Sequence, residues 1–154
     1  MRHTCRLAVL GTHGPGRTFT TVRAFVDTNV LVYFFDQSEP VKRERSDALL
    51  EAIEPVLSAQ VLSEFYTTVT RKVTPPLTQE QALRAVRNWS RLDIVPITSA
   101  LVASAIETSQ RHQLSYWDGL IIEAAVAAGC NDLYTEDLNA GATLRGVTIR
   151  NPFA

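Results

Sequence analysis

Short apolar segments alternate with longer helical segments along most of this chain, and this alternation restricts its fold more than any other feature. The predicted strands span residues 23–27, 55–57, 93–96, 132–135 and 146–150. The predicted helices span residues 29–35, 41–53, 59–72, 78–90, 99–112 and 115–128, and the expected N-caps are Ser58, Thr78, Ser99 and Ser115. Such alternation indicates an α/β fold, a three-layer α/β/α sandwich with a mostly parallel central sheet.

The composition agrees with a single globular domain. The chain has 154 residues, of which 45% are hydrophobic and 20% charged, and its net charge of −1 does not indicate nucleic-acid binding by itself. Two cysteines, Cys5 and Cys130, do not form a disulfide framework. No apolar stretch approaches the roughly 20 residues that span a bilayer. We therefore expect a reduced, cytoplasmic protein with no membrane partner.

Residues 1–22 differ from the rest of the chain because they are rich in Gly, Thr and His and show no periodicity. We expect a flexible N-terminal leader here, followed by a domain over residues 23–154. Within the leader, GTHGPGRT (residues 11–18) is similar to a phosphate-binding P-loop. However, Arg17 replaces the lysine, and a β-prone segment follows where a helix should begin, so nucleotide binding is not expected.

Four acidic residues lie at the ends of the predicted elements. Asp27 closes the apolar run AFV, and Asp137 follows the run DLYT, so both fall at the carboxyl end of a strand. Ligands of parallel sheets bind at that edge. Glu64 and Asp118 lie within the first two turns of helices that follow the capping residues. Convergence of these four side chains would create an acidic pocket.

Each acid also has an ordinary structural explanation. Asp27 could cap a helix, Glu64 could be a surface residue, and Asp118 completes a capping box with Ser115. Asp137 is typical of a turn. The four acids together indicate a cation site more strongly than any one of them. If they cluster, two carboxylates ~5 Å apart repel each other by roughly 3 kcal/mol, so a cluster without a bound cation would be strained. Oxygen ligands of this kind select Mg²⁺ or Mn²⁺.

The segments VDTNVLVY, SAQVLSEFY, LSYWDGLIIEAA, LYTEDLNAG and NPF occur in the order typical of PIN-domain ribonucleases. The chain resembles this family from residue 23 to residue 153, and within it most resembles the VapC-like toxins of type II toxin–antitoxin systems. The resemblance implies a PIN-like sandwich and a set of catalytic, metal-binding acids: Asp27, Glu64, Asp118 and Asp137. It also implies supporting roles for Thr28 and Asn29. Ser115, as the cap before Asp118, and Glu136, beside Asp137, are further supporting candidates, although either Glu136 or Asp137 could be the fourth ligand.

The same resemblance implies a function and partners. The protein would hydrolyse RNA with Mg²⁺ or Mn²⁺, form a homodimer, and be silenced by a cognate antitoxin that covers the acidic site. RNA also requires positive charge around the site, and the sequence offers candidates that could equally form a solvated face. These candidates are Arg43, Arg45, Arg71, Lys72, Arg84, Arg87 and Arg91.

Two other functions are compatible with some of these features. A strand-end aspartate could be the nucleophile of a haloacid-dehalogenase-type phosphatase, but Asn29 stands where that class has a second aspartate. The chain could also be a non-catalytic PIN-like module that binds proteins, with acids that only cap helices. The sequence leaves open the RNA cleaved, the identity of the antitoxin and the number of metal ions.

Overall fold

A computed structural model of the protein describes residues 21–154, which contain a central β-sheet. The P-loop-like segment and nearly all of the leader lie outside these residues. Six strands pair in the order β3-β2-β1-β4-β6-β5, and every pairing is parallel except that of β5 with β6. The strands are β1 Val22–Val26, β2 Ile53–Ser58, β3 Asp93–Val95, β4 Asp132–Tyr134, β5 Thr143–Leu144 and β6 Val147–Arg150.

Six helices cover the sheet. They are α1 Thr28–Phe35, α2 Pro40–Ala52, α3 Ala59–Val69, α4 Gln79–Trp89, α5 Ser99–His112 and α6 Tyr116–Ala127. The connections from β1 to β2 and from β2 to β3 run in one direction across the sheet, whereas the connection from β3 to β4 runs back. Right-handed crossovers therefore place α1–α4 on one face and α5–α6 on the other. The predicted α/β/α sandwich with a mostly parallel sheet is confirmed.

The central strand β1 and its parallel neighbour β4 end side by side at the carboxyl edge of the sheet. Ala24, Phe25 and Val26 are fully buried because helices cover both faces of this strand. On its β4 side, Val26 is in register with Tyr134. The next residue continues the ladder, because the Asp27 backbone N–H donates to the Tyr134 carbonyl at 3.0 Å. The chain segments that leave β1 and β4 therefore begin side by side.

An aromatic cluster fixes α3 against α1 and α4. The Phe65 ring lies 5.6 Å from the ring of Phe35 and 6.5 Å from that of Trp89, measured between centroids. The Phe34 ring completes the cluster at 6.0 Å from Trp89. The two pairs with Trp89 are edge to face and the Phe65–Phe35 pair is tilted. Aromatic pairs of this kind add about 0.5–1.5 kcal/mol each to the burial of the rings. Because Phe65 follows Glu64 directly, this packing also sets the position of Glu64.

One helix cap and one strand differ from the sequence expectations. Helix α5 is capped by Thr98, whose hydroxyl accepts from the Leu101 N–H at 3.1 Å, and not by Ser99, which is the first helical residue. Strand β5 was not predicted, because a two-residue strand is too short to show a pattern. It forms a hairpin with β6 through Arg145 and Gly146, whose φ angles of 54° and 80° are those of a type I′ turn.

The start of the domain, the lack of a membrane-spanning helix among residues 21–154 and the free Cys130 thiol can be compared with the sequence expectations. Strand β1 begins at Val22, one residue before the predicted start of the domain. Within residues 21–154, no helix combines the length and the apolar character needed to cross a membrane. Cys130 is a buried free thiol, and Cys5 lies outside the described residues.

Helix α6 approaches α5 closely at Gly119. A β-carbon at this position would lie 2.6 Å from the backbone carbonyl oxygen of Ala105, which cannot move without distorting α5. We expect Gly119→Ala to lower the free energy of unfolding by about 1–3 kcal/mol, because overpacking outweighs the helix propensity gained. Urea denaturation followed by circular dichroism measures this change. Equal or greater stability of the variant would contradict the close approach.

Candidate active site

Asp27 lies at the centre of the site, directly after β1. Its side chain is buried, with 8% of the residue exposed. The Oδ1 atom accepts from the Thr28 backbone N–H at 2.7 Å, and Oδ2 accepts from the Thr135 hydroxyl at 2.8 Å. Asp27 is also the N-cap of α1, so the capping role considered from the sequence is real. Each carboxylate oxygen accepts one of these hydrogen bonds and retains capacity for a second interaction.

The electrostatic environment of Asp27 is unfavourable for its charged form. The pKa of Asp27 is raised from the ordinary value of 3.8 to about 6, mainly by burial and to a smaller extent by the negative charges of Asp137 and Glu64. The hydrogen bonds from Thr135 and Thr28 act in the opposite direction but do not offset the burial. None of the salt bridges found in residues 21–154 involves Asp27. A cation bound here would therefore stabilise the carboxylate.

Glu64 is held by two side-chain donors on the site edge of α3. Its Oε2 accepts from the Thr28 hydroxyl at 2.8 Å, and its Oε1 accepts from Gln60 Nε2 at 2.9 Å. Gln60 is buried, and its Nε2 also lies 3.3 Å from the Trp117 carbonyl oxygen, to which it donates. Glu64 is therefore part of a network, and not the isolated surface residue that its helix position alone would suggest.

Asp137 joins the same network through Thr135, a residue that sequence reasoning missed. Thr135 is fully buried, and its hydroxyl accepts from the Asp137 backbone N–H at 3.1 Å while it donates to Asp27. Asn29 Nδ2 donates to Asp137 Oδ2 at 3.0 Å and lies 3.2 Å from the Thr135 hydroxyl. The signal for Thr135 was present in the sequence, because it ends the run DLYT as Asp27 ends the run AFV.

Glu136 points away from Asp137 and has different partners. Its Oε1 accepts from the Tyr33 hydroxyl at 2.6 Å, and its Oε2 accepts from Lys42 Nζ at 2.8 Å. In this arrangement Asp137 contacts the network around Asp27, whereas Glu136 contacts α1 and α2. Lys42 and Tyr33 were not among the residues singled out from the sequence.

Asp118 lies in the first turn of α6 and contacts Ser115. The Ser115 hydroxyl accepts from the Asp118 N–H at 3.1 Å and donates to its Oδ2 at 2.7 Å. Asp118 shares no hydrogen bond with the other three acids in the described part of the chain. Its connection to them is indirect, because Gln60 links Glu64 to the carbonyl of the adjacent Trp117.

The donor set fits a hard divalent cation by its chemistry, since carboxylate and amide oxygens predominate. Two buried oxygens of residues that bond the acids, Asn29 Oδ1 and Gln60 Oε1, have no hydrogen-bond partner among residues 21–154. In residues 21–154, however, no three Asp, Glu, His or Cys side chains lie close enough together to hold an ion as they are placed. The structure thus brings the acids to one edge of the sheet without assembling a closed coordination shell.

The basic residues proposed from the sequence to contact RNA are exposed but distributed over several elements. Arg84 pairs with Glu80 at 3.4 Å on α4, and Arg45 donates to the Ala154 carbonyl at 2.9 Å. Helix α3 ends at Val69 and not at residue 72, so the predicted helical positions of Arg71 and Lys72 are wrong, and Arg91 lies beyond α4, which ends at Trp89. Within residues 21–154, no hydrogen bond joins these cations to the four acids.

Comparison with known proteins places this geometry in context. The family described as the PIN domain matches residues 24–142. No curated protein sequence matches the chain. A toxin–antitoxin complex from Klebsiella pneumoniae is similar in structure, with a TM-score of 0.65 and 21% identity over 84% of this chain and 97% of that chain.

Two further solved structures have a similar fold. One is VapC20 from Mycobacterium tuberculosis, described as a sarcin–ricin loop cleaving toxin, with a TM-score of 0.61 and 19% identity over 74% of this chain and 89% of that chain. The other is a DNA-bound VapBC from Salmonella typhimurium, with a TM-score of 0.59 and 18% identity over 86% of this chain and 99% of that chain. At such identities the likeness concerns the fold.

The raised pKa of Asp27 makes the stability of the metal-free protein depend on pH. The folded state retains the Asp27 proton up to about pH 6, whereas the unfolded chain loses it near the ordinary value of 3.8, so folding becomes less favourable as pH rises between these values. We expect Asp27→Asn to abolish this decline and to stabilise the protein by about 2–3 kcal/mol above pH 7.

Urea denaturation between pH 4 and pH 8 in the presence of a chelator measures the effect. Asp47→Asn, at an exposed position on α2, is the control and should retain the decline of the parent protein. If the parent and the Asp27→Asn variant show the same pH dependence, burial does not perturb Asp27.

Proposed function

Because the chain belongs to the PIN-domain family, we propose that it is a metal-dependent ribonuclease of the VapC-like toxin type, with Asp27, Glu64, Asp118 and Asp137 as its catalytic acids. The family match covers residues 24–142, which include all four. The proposal takes RNA as the substrate and Mg²⁺ or Mn²⁺ as the cofactor. It also takes a cognate antitoxin as the inhibitor and a homodimer as the assembly.

The observation that carries this proposal is the hydrogen-bond network around Asp27. Thr28 bonds both Asp27 and Glu64, and Thr135 bonds both Asp27 and Asp137. Asp27 at the end of β1, Glu64 on α3 and Asp137 after β4 are thus linked through shared hydrogen-bond partners. An arrangement that concentrates negative charge without a paired cation costs stability, which favours a functional explanation over capping alone.

A bound Mg²⁺ or Mn²⁺ would supply the positive charge that lowers the pKa of an attacking water and offsets the charge on the scissile phosphate. Residues of this chain would orient the reactants. Thr28 and Thr135 hold both oxygens of Asp27, and Asn29 holds Asp137, so these donors would orient the two carboxylates. Asp118 would join from the N-terminus of α6, where the helix dipole favours its charge by about 0.3–1 kcal/mol.

An RNA substrate and an antitoxin partner follow from the family and from charge. A solved relative is described as cleaving the sarcin–ricin loop, and other similar structures are toxin–antitoxin complexes. An acidic pocket that requires cations would also attract a basic segment of a protein inhibitor. Exposed arginines on α2 and α4, among them Arg43 and Arg87, would supply the positive charge that RNA binding needs.

The nuclease proposal predicts Mn²⁺-dependent cleavage of RNA by the purified protein without antitoxin. Asp27→Asn and Asp137→Asn should each lower the initial rate more than about 100-fold, since loss of ~3 kcal/mol of transition-state stabilisation has that effect. The control is Asp132→Asn, which removes a carboxylate at the amino end of β4 and should retain activity. Gel-resolved cleavage of mixed RNA, with and without EDTA, gives the rates.

The same experiment separates the competing functions. Absence of metal-dependent cleavage across messenger, transfer and ribosomal RNA would contradict the ribonuclease proposal. Hydrolysis of a small phosphomonoester that depends on Asp27 would instead support a phosphatase. A protein inactive in both assays that still binds a partner through the acidic face would support a non-catalytic module.

Metal binding is expected to stabilise the folded protein. At a Mn²⁺ concentration about 100 times the dissociation constant, the free energy of unfolding should rise by about 2.7 kcal/mol, and the melting temperature should rise with it. Asp27→Asn should lose most of this rise, whereas Asp132→Asn should keep it. Differential scanning fluorimetry against a Mn²⁺ series measures both, and equal shifts in all three proteins would place the ion elsewhere.

A further inference from the structure

We propose that Lys42 is a positioning residue of this site, which acts through Glu136 and Tyr33 to hold the segment after β4 so that Asp137 faces Asp27. The inference rests on the proposed function, because it assigns Lys42 a role at the same site. It adds a group that neither the family match nor the sequence motifs identify.

Three side chains from separate elements form a closed ring of hydrogen bonds. Lys42 Nζ, on α2, donates to Glu136 Oε2 at 2.8 Å and to the Tyr33 hydroxyl at 2.8 Å. The Tyr33 hydroxyl, on α1, donates to Glu136 Oε1 at 2.6 Å. Each member bonds both of the others, so the position of any one is determined by the remaining two. We call this set the Lys42 ring.

Aromatic contacts protect the Lys42 ring from solvent. Lys42 Nζ lies 4.3 Å from the ring centroid of Tyr33 and 5.6 Å from that of Phe153. The Tyr33 and Phe153 rings pack edge to face, with centroids 5.0 Å apart. The side chains of Lys42 and Glu136 are 31% and 22% exposed, against 63% and 82% for Arg84 and Glu80. The pair is therefore less screened than a surface salt bridge.

Helix α1 connects the Lys42 ring to the acids. Asn29 and Tyr33 are four residues apart on α1, so they lie on one helix face. Asn29 donates to Asp137, and Tyr33 donates to Glu136, which precedes Asp137 in the chain. Two consecutive acidic residues are thus attached to one helix, and their side chains are directed to different partners. Release of Glu136 would free one of these two attachments.

Charge gives Lys42 a second effect on Asp137. The ammonium group neutralises Glu136, which is the nearest acid in sequence to Asp137. Without Lys42, the Glu136 carboxylate would lose its cation and would become a competing ligand for any divalent ion beside Asp137. The Lys42 ring therefore both holds the backbone of this segment and removes an alternative ligand from the site.

The test compares Lys42→Met with Lys42→Arg, which keeps a cation able to pair with Glu136. The matched control is Arg23→Met, which removes a salt bridge to Asp93 at the amino end of the sheet, where the arginine side chain is 36% exposed. We expect Lys42→Met to raise the Mn²⁺ concentration for half-maximal RNA cleavage by about 10–100-fold, the range typical of groups that orient metal ligands. Lys42→Arg should recover most of this loss, and Arg23→Met should show none.

Hydrogen exchange provides a readout that needs neither metal nor activity. The Asp137 amide is protected by its bond to the Thr135 hydroxyl, and in the metal-free protein it should exchange about tenfold faster in Lys42→Met. Tyr33→Phe should show a smaller increase, because Lys42 and Glu136 remain paired. A purely structural salt bridge would lower the melting temperature without changing either this exchange rate or the Mn²⁺ dependence, and that result would overturn the proposal.

The outcomes also separate this inference from the proposed function. If the parent protein cleaves RNA and Lys42→Met has the same Mn²⁺ dependence and the same Asp137 exchange rate, Lys42 is not a positioning residue. If the parent protein fails to cleave any RNA, the ribonuclease proposal fails. The exchange rates of the metal-free variants then decide the positioning role by themselves.

Discussion

The burial of one carboxylate, that of Asp27, determines much of the structure around it. Asp27 follows strand β1, whose last three residues are fully buried, and burial raises its pKa to about 6. Two hydrogen-bond donors stabilise its carboxylate: the Thr28 backbone N–H donates to one oxygen and the Thr135 hydroxyl donates to the other. These two threonines also bond Glu64 and Asp137. Glu64 and Asp137 are therefore not independent of Asp27, since each bonds a residue that also orients Asp27.

This arrangement of acids lowers the stability of the folded state. Like charges near a buried carboxylate weaken the folded state, and the described part of the chain provides no salt bridge to compensate Asp27. A natural site of this kind is stabilised elsewhere, here by the buried strands and by the aromatic contacts of Phe65 with Phe35 and Trp89. The same contacts keep α3, and with it Glu64, against α1. The aromatic packing between α1 and α3 therefore also keeps Glu64 beside Thr28.

The consecutive acids Glu136 and Asp137 have separate hydrogen-bond partners in the fold. Asp137 contacts Asn29 and Thr135, whereas Glu136 is paired with Lys42 and Tyr33. The sequence left open which acid belongs to the site, since both follow the same strand and both suit a turn. The contacts from α1 and α2 distinguish them, because Tyr33 and Lys42 bond Glu136 whereas Asn29 bonds Asp137. The contacts therefore favour Asp137 as the fourth acid, which the proposed substitutions test.

The sequence by itself determined the α/β alternation, the caps at Ser58, Thr78 and Ser115, and the placement of Asp27 after a buried strand, because these depend on local patterning and capping chemistry. The tertiary structure alone decided which side chains meet. Thr135, Gln60 and Lys42 act across separations of 108, 57 and 94 residues, and no local pattern encodes contacts of that range. Such contacts arise when strand order and helix packing bring distant segments to one edge of the sheet.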